Sequence, residues 1–209
     1  MDTMTLHKSL RKFDDNSYVH FITTNTYRNY PYFQYEEFSQ ILLEELRFYS
    51  VKLGFTLIGY VIMPSHLHLL LWWDKDEQSM LNISTIMQRI KGATARRIID
   101  FLQGRSEHPL RPVSQGRERM LSATQERADP KAHKQNIKHR VWQPGFYDFN
   151  IHSERILLDK LDYIHNNPVK AGLTTSPGDY KCSSYRFYLS EEQTLAEIQV
   201  MAGRRVKGI

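Results

Sequence analysis

Two histidines separated by one aliphatic residue stand at the head of an apolar stretch. The motif runs from Met63 to Trp73, and its apolar part lies between Pro64 and the charged run 74–77. Short apolar runs with such boundaries are typical of strands, and residues two apart on a strand point to the same side. We therefore expect His66 and His68 to project together as half of a divalent-metal site. Taken alone, this pattern more often marks two ordinary core or surface histidines.

A tyrosine and an asparagine in the second half of the chain supply complementary chemistry. Tyr163 and Asn167 are four residues apart in a helical pattern, so they fall on one helix face. The amide oxygen of Asn167 can ligate a hard cation, and a set made with His66 and His68 would leave positions open for water and phosphate oxygens. Such a set suits Mg²⁺ or Mn²⁺ in phosphoryl chemistry. The alternative is a tyrosine at the edge of the core and an asparagine at a helix end.

Tyrosine attack on DNA is the reaction that this combination suggests. A neutral phenol, with a pKa of about 10, is a poor nucleophile. A cation that polarises the scissile phosphate compensates for this weakness. Attack by Tyr163 would store the bond energy in a phosphotyrosine, so that cleavage and rejoining of a strand need no ATP.

Hydrophobic periodicity predicts the elements that position these residues. Strands are expected over 18–26, 55–63 and the histidine stretch, with a fourth strand or hairpin arm within 141–151. Helices are expected over 36–53, from 82 to about 101, and from an N-cap at Ser153 to near Asn166 and Asn167, because Pro168 disfavours the helical conformation before it. This order predicts an α+β fold, a ferredoxin- or RRM-like sandwich. Its central antiparallel sheet carries the histidine pair, and its helices pack on one face.

Composition places the chain among ordinary globular proteins with a local excess of positive charge. The 209 residues fit a single domain, 1–209, and carry a net charge of +5. The polar segment 104–140 holds nine Lys and Arg against four Asp and Glu. We interpret this segment as a flexible insertion, either a solvated loop or a basic arm for phosphates, and 190–209 as a C-terminal tail. The lone Cys182 and the short apolar runs indicate a cytoplasmic protein without a membrane segment.

Several motifs together resemble those of one family. The stretch from Met63 to His68 resembles the HUH motif (histidine, hydrophobic, histidine) of single-strand DNA nucleases. The segment Tyr163–Leu173, read YIHNNPVKAGL, resembles the catalytic-tyrosine block of the REP-associated tyrosine transposases, which are relatives of the small IS200-type transposases. Further matches lie at 18–27, 86–92, 142–148 and 183–185.

The resemblance implies a metal-dependent endonuclease and strand transferase acting on single-stranded DNA. It implies a 5′-phosphotyrosine on Tyr163 and a metal set of His66, His68 and Asn167. The implied substrates are palindromic, hairpin-forming repeats of a bacterial chromosome, processed in the cytoplasm by a monomer or a homodimer.

Duplex phosphates and unpaired bases of a hairpin require different side chains. Basic residues of the second predicted helix could meet the phosphates, and aromatic residues could stack on the bases. The candidate DNA-binding residues are Arg89, Lys91, Arg96, Arg97, Trp142 and Tyr147. By contrast, His165 is two residues from Tyr163 on the helix and is expected to point away from the site.

Two rival interpretations remain open at this stage. The first is a non-catalytic DNA-binding regulator built on the same sandwich. The second is a metallo-phosphoesterase that uses an activated water and leaves no covalent adduct. Substitution of Tyr163 by Phe separates the strand transferase from the regulator, because the transferase loses cleavage while the regulator has none to lose. The phosphoesterase differs from the transferase in that it cleaves without a covalent adduct.

Overall fold

A computed structural model describes residues 18–74, 81–105 and 140–190. Residues 1–17 and 75–80, nearly all of the proposed insertion 104–140 and the proposed tail after 190 lie outside the described residues. The elements, in chain order, are β1 (Val19–Asn25), α1 (Glu36–Leu53), β2 (Phe55–Met63), β3 (His66–Trp73), α2 (Ile83–Leu102), β4 (Tyr147–Ile151), α3 (Glu154–Lys170) and α4 (Tyr185–Ser190). Short 3₁₀ turns cover Tyr27–Asn29, Tyr32–Gln34 and Pro177–Asp179.

The four strands form one antiparallel sheet in the order β2-β3-β1-β4. Strands β2 and β3 make a hairpin whose turn is Pro64-Ser65. Strand β3 therefore lies inside the sheet, between β2 and β1, and the histidine pair sits on a strand that is hydrogen-bonded on both sides. The predicted α+β class and antiparallel sheet are confirmed.

Helices contact both faces of this sheet rather than one. Alternate residues of β3, among them Leu67 and Leu69, pack with α1 and α2 in the larger core. The opposite face carries the histidines, and there Leu70 packs with Ile164 and Leu161 of α3. The expected arrangement of helices on one face holds for α1 and α2, while α3 covers the histidine face. This second layer brings helical side chains to the imidazoles.

Local signals account for most helix ends. Helix α1 stops at Gly54, whose φ of 70° is readily adopted by glycine. The side chains of Asn82 and Ser153 cap α2 and α3 by accepting backbone N–H bonds.

The predicted end of α3 near Asn166 and Asn167 is wrong. The helix continues through Pro168 to Lys170, and the carbonyl of Asn167 accepts a hydrogen bond from Ala171 at 2.9 Å. A proline in the last turn removes one N–H donor, and burial of the Pro168 ring offsets that loss. Asn167 is thus held in regular helix rather than at a fraying end.

The segment after α3 covers the free edge of the sheet. The backbone of Ser184 donates to the carbonyl of Tyr60, and that of Ile62 donates to Cys182. The hydroxyl of Tyr180 also donates to the carbonyl of Ile62, at 2.7 Å. These bonds satisfy edge groups of β2 that would otherwise be open to another strand. No helix in the described ranges is long and apolar enough to cross a membrane.

Candidate active site

The histidines of β3 and the polar face of α3 meet on one side of the sheet. The rings of His66 and His68 have centroids 4.9 Å apart, and the ring of Tyr163 lies edge-on to His68 at 5.5 Å. The amide nitrogen of Asn167 lies 3.4 Å from Nε2 of His68, and Asn167 also hydrogen-bonds the side chain of His66. His68 therefore contacts each of the other three residues proposed for chemistry, and Asn167 contacts both histidines.

A threonine on the neighbouring strand fixes one of the two imidazoles. Thr23 of β1 pairs with His68 across the sheet, and its Oγ1 lies 2.8 Å from Nδ1 of that ring. The ring of Phe21 stacks on the same imidazole at 5.6 Å and 14°. When Nδ1 donates its hydrogen to the threonine oxygen, Nε2 keeps its lone pair on the side that faces Asn167.

Burial keeps the imidazoles neutral. His68 is 4% exposed, and burial, followed by the charges of His66 and Lys160, lowers its pKa to about 3. Burial also lowers the pKa of His66, and the hydrogen bond to Asn167 partly opposes this. Neutral imidazoles at ordinary pH are the form that ligates a metal.

The spacing of Asn167 from His68 suits two ligands of one small divalent cation. Octahedral ligands at about 2.1 Å from an ion lie about 3 Å from their neighbours, which is close to the 3.4 Å between His68 and Asn167. Rotation of the amide by 180° would bring its oxygen to the same place. Across 18–74, 81–105 and 140–190, no group of three or more His, Cys, Asp or Glu is placed to hold a metal. The side-chain amide of Asn167 lies within hydrogen-bonding distance of both histidines.

Four residues at helical spacing line the exposed side of α3 above the histidines. They are Lys160, Tyr163, Asn167 and Lys170. Tyr163 is 39% exposed, and both lysine ammonium groups lie over its ring, at 5.7 and 5.6 Å from the centroid. The phenol is thus accessible to a substrate and is flanked by positive charge.

His165 takes no part in this arrangement. It faces the other way, as expected, and its Nε2 lies 2.7 Å from Oγ of Ser184. Burial is the main cause that lowers its pKa to about 4. This histidine ties α3 to the edge segment.

Two of the candidate DNA-binding residues have structural neighbours instead of open surroundings. Trp142 is 7% exposed and packs against Phe33 in the larger core, so its ring face is not available for a base in this conformation. Lys91 donates from its ammonium to the carbonyls of Gln143 and Gly145. Both residues hold the turn that leads into β4.

The remaining candidates differ in accessibility. Arg97 forms ion pairs of 2.7 Å with Glu44 and Glu45, which join α2 to α1. Arg89 and Arg96 are exposed on α2, on the side of the sheet opposite the histidines. Tyr147 is 41% exposed and lies edge-on to Phe21, on the histidine side. Of the six candidates, Tyr147 is the one beside the site.

Sequence reasoning did not identify Thr23 or Lys160. Thr23 belongs to the site through a strand pairing across 45 positions, which periodicity does not reveal. Lys160 carried a usable signal, because it precedes Tyr163 by three residues on the same helix.

Comparison with known proteins shows a likeness over the part of the chain that carries the histidine pair. Residues 14–110 match the family model described as "Transposase IS200 like". The matched part contains the histidine pair and ends before Tyr163 and Asn167. The resemblance to IS200-like transposases is therefore confirmed, and a transposase role is the function that this family supports. No curated protein matches the chain.

The fold is shared with a REP-associated tyrosine transposase. The solved structure of that protein "bound to a REP hairpin" superposes with a TM-score of 0.58 at 18% sequence identity, over 93% of this chain and 96% of that one. A putative transposase from Deinococcus radiodurans R1 is 20% identical, with a TM-score of 0.41 over 76% of this chain and 93% of that one. The fold prediction made from the sequence agrees with the first of these structures.

Proposed function

We propose that this protein is a metal-dependent endonuclease and strand transferase for single-stranded DNA. Tyr163 would be its nucleophile, and hairpin-forming repeats would be its substrate. The observation that supports the proposal most is the contact between two helical residues and one imidazole. The Tyr163 ring lies edge-on to His68, while Asn167, one turn further on, reaches Nε2 of the same ring.

The proposed reaction is a transfer of the phosphoryl group from a 3′-oxygen to the phenol. Oη of Tyr163 loses its proton to solvent and attacks the scissile phosphorus, so that an O–P bond forms. The bond from phosphorus to the 3′-oxygen breaks, and that oxygen takes up a proton and leaves as a free 3′-hydroxyl. The product is a 5′-phosphotyrosine, and the reverse reaction with another 3′-hydroxyl joins strands without external energy.

His66, His68 and Asn167 would hold the cation. A bound Mg²⁺ or Mn²⁺ supplies polarisation of the scissile phosphate. The protein supplies position: β3 fixes the imidazoles in the sheet interior, Thr23 orients His68, and the regular helix of α3 fixes the 163–167 spacing. Preorganised ligands of this kind lower the cost of assembling the reactive geometry.

Hairpin DNA is the proposed partner for two reasons. The related structure of the same fold is that of a protein bound to a REP hairpin. In this chain, exposed Tyr147 beside the site offers a stacking surface for an unpaired base, an interaction worth about 1–3 kcal/mol.

The test is the capture of the covalent intermediate. The protein is incubated with Mn²⁺ and single-stranded hairpin oligonucleotides from the repeats of its own genome, labelled on the 3′ side of the expected cut. Denaturing electrophoresis then separates free DNA from protein-linked DNA. We expect a labelled band at the mass of protein plus DNA, which is absent with Tyr163→Phe and with EDTA.

Two other results would contradict the proposal in different ways. Cleaved DNA without an adduct would indicate a water nucleophile. Intact DNA across many hairpins, with a clear gel shift, would indicate a DNA-binding regulator without catalysis.

A further inference from the structure

Lys160 holds its ammonium group among the aromatic rings that surround the candidate active site. Nζ lies 4.8 Å from the ring centroid of Phe21, 5.5 Å from that of Phe149 and 5.7 Å from that of Tyr163. The side chain is half-buried. The first of these rings stacks on His68. The cation therefore lies on the histidine side of the sheet, next to the proposed nucleophile.

The positive charge of Lys160 has no carboxylate partner within the described part of the chain. The described ion pairs engage other side chains, such as Arg97 with Glu44 and Glu45. Aromatic faces attract a cation but do not neutralise its charge. The Lys160 ammonium is surrounded by aromatic rings and not by carboxylates, so its positive charge is available to an anion that enters the site.

We propose that Lys160 is a further catalytic residue, whose ammonium binds a non-bridging oxygen of the scissile phosphate while Tyr163 attacks it. This inference rests on the proposed function and extends it, because it assigns the phosphate a second cationic contact besides the metal. Lysine suits the role because its compact charge sits on a flexible stem and can follow the phosphate as it moves from DNA to the phenol. Charge that develops on phosphate oxygens in the transition state is stabilised by such a preplaced cation.

The chain offers a matched control for the cation–ring contact. Lys52, near the end of α1, places its ammonium 5.1 Å from the ring centroid of Phe48. It is exposed and belongs to a helix that packs on the other face of the sheet. Loss of Lys52 removes the same kind of contact without touching the site.

The experiment compares Lys160→Met, Lys160→Arg and Lys52→Met with the wild type. Methionine keeps most of the apolar stem, and arginine keeps the charge. The first-order rate of adduct formation is measured at saturating hairpin DNA with Mn²⁺. We expect Lys160→Met to slow it on the order of 10–100-fold, Lys160→Arg to restore part of the rate, and Lys52→Met to leave it unchanged.

A modified substrate separates a phosphate contact from a structural effect. In a methylphosphonate linkage at the cleaved position, a methyl group replaces one charged oxygen. If Lys160 binds that phosphate, the rate difference between wild type and Lys160→Met should shrink to within about twofold on the substrate that lacks the charge. A difference that stays equally large on both substrates would overturn the inference, as would an unchanged rate for Lys160→Met on ordinary DNA.

The salt dependence of DNA binding decides the inference even if the wild type forms no adduct. Absence of any adduct would contradict the proposed function itself. A lost phosphate contact on single-stranded DNA reduces the slope of log K against log salt by about 0.7. That reduction for Lys160→Met, and not for Lys52→Met, would support the phosphate contact, whereas equal slopes for both variants would overturn it.

Discussion

The hydroxyl oxygen of Thr23 lies 2.8 Å from Nδ1 of His68, across the pairing of β1 with β3. The opposite nitrogen of the same ring faces Asn167 at 3.4 Å. One side of the imidazole is therefore held by the sheet, and the other is presented to the helix that carries Tyr163. This arrangement allows a strand residue with no chemistry of its own to orient the nitrogen that we propose as a metal ligand.

Replacement of Thr23 by valine should weaken metal binding without loss of the fold. Valine has nearly the same shape but cannot accept the hydrogen from Nδ1, so the ring loses its preferred tautomer and orientation. Loss of such an outer contact typically costs about 10–100-fold in metal affinity or activity. The measurement is the Mn²⁺ concentration that half-saturates adduct formation, with Thr23→Ser as the control that keeps the hydroxyl. Equal half-saturation in valine and serine variants would contradict the role of this contact.

As the pH is lowered, the metal-free protein should begin to lose stability at a higher pH than titration of its carboxylates alone would predict. His165 has a pKa lowered to about 4 and His68 one lowered to about 3, whereas histidines of the unfolded chain take up protons near pH 6.5. Since the unfolded state binds more protons in this window, the free energy of unfolding should fall as pH drops from about 6.5 towards 4. The loss for His165 should be on the order of 2–3 kcal/mol.

Urea unfolding in EDTA between pH 7 and 4.5 measures this dependence. His165→Gln is the informative variant, because it removes one of the histidines whose pKa is lowered and lies outside the candidate metal site. Its stability should fall less steeply with decreasing pH than that of the wild type, whatever its stability at pH 7. A wild-type stability that stays constant through this window would rule out the burial effect.

Gly59→Ala should disturb the packing of α3 on the sheet. A Cβ at this position would lie 2.8 Å from Cδ1 of Leu161 and 3.1 Å from Cδ1 of Ile164. Both atoms are ends of side chains, so part of the strain can be relieved, and we expect a destabilisation of about 1 kcal/mol. Chemical denaturation gives the value.

The double variant Gly59→Ala/Leu161→Ala tests whether this contact is the cause. The added methyl group should then occupy space that the leucine vacates, so the two effects should couple favourably by about 0.5 kcal/mol or more. Strictly additive effects would mean that the glycine is needed for another reason, such as the register shift of β2 between Leu57 and Gly59.

Substitutions of Arg97 and Arg96 should distinguish a residue that stabilises the fold from one that does not. Arg97 joins α2 to α1 through Glu44 and Glu45 in a partly exposed ion pair, so Arg97→Met should cost about 1 kcal/mol after allowance for solvent screening. Arg96 is exposed, and Arg96→Met should leave stability within about 0.5 kcal/mol. Titration of both variants with hairpin DNA then shows whether either side chain contacts phosphate. A stability loss for Arg96→Met that matches that of Arg97→Met would contradict this division.

Local sequence signals were sufficient to predict most elements of this fold. The limits of α1 follow from a regular apolar period and from Gly54, and those of the β2–β3 hairpin follow from Pro64-Ser65. The sequence also predicted part of the contact between α3 and the histidines. The 163–167 spacing places two residues on one face of the helix, and the 66–68 spacing places two on one face of the strand. These patterns do not predict which face of the sheet the helix packs against.

The parts that could not be predicted depend on long-range packing. The pairing of Thr23 with His68 depends on the register of β1 against β3, and neither residue carries a local signal that predicts it. Trp142 looks like a base-stacking residue in the sequence, but the 3₁₀ turns after β1 bring Phe33 against its ring. Pro168 carries a signal to end the helix, and its burial outweighs that signal.

The most direct test of the account is identification of the residue that becomes linked to DNA. After reaction with Mn²⁺ and hairpin DNA, the adduct is treated with nuclease and digested with trypsin, and the peptides are analysed by mass spectrometry. Cleavage after Lys160 and Lys170 gives the peptide LDYIHNNPVK, in which Tyr163 is the sole tyrosine. The account predicts a nucleotide phosphate on that tyrosine. Attachment to any other residue, or cleaved DNA with this peptide unmodified, would contradict it.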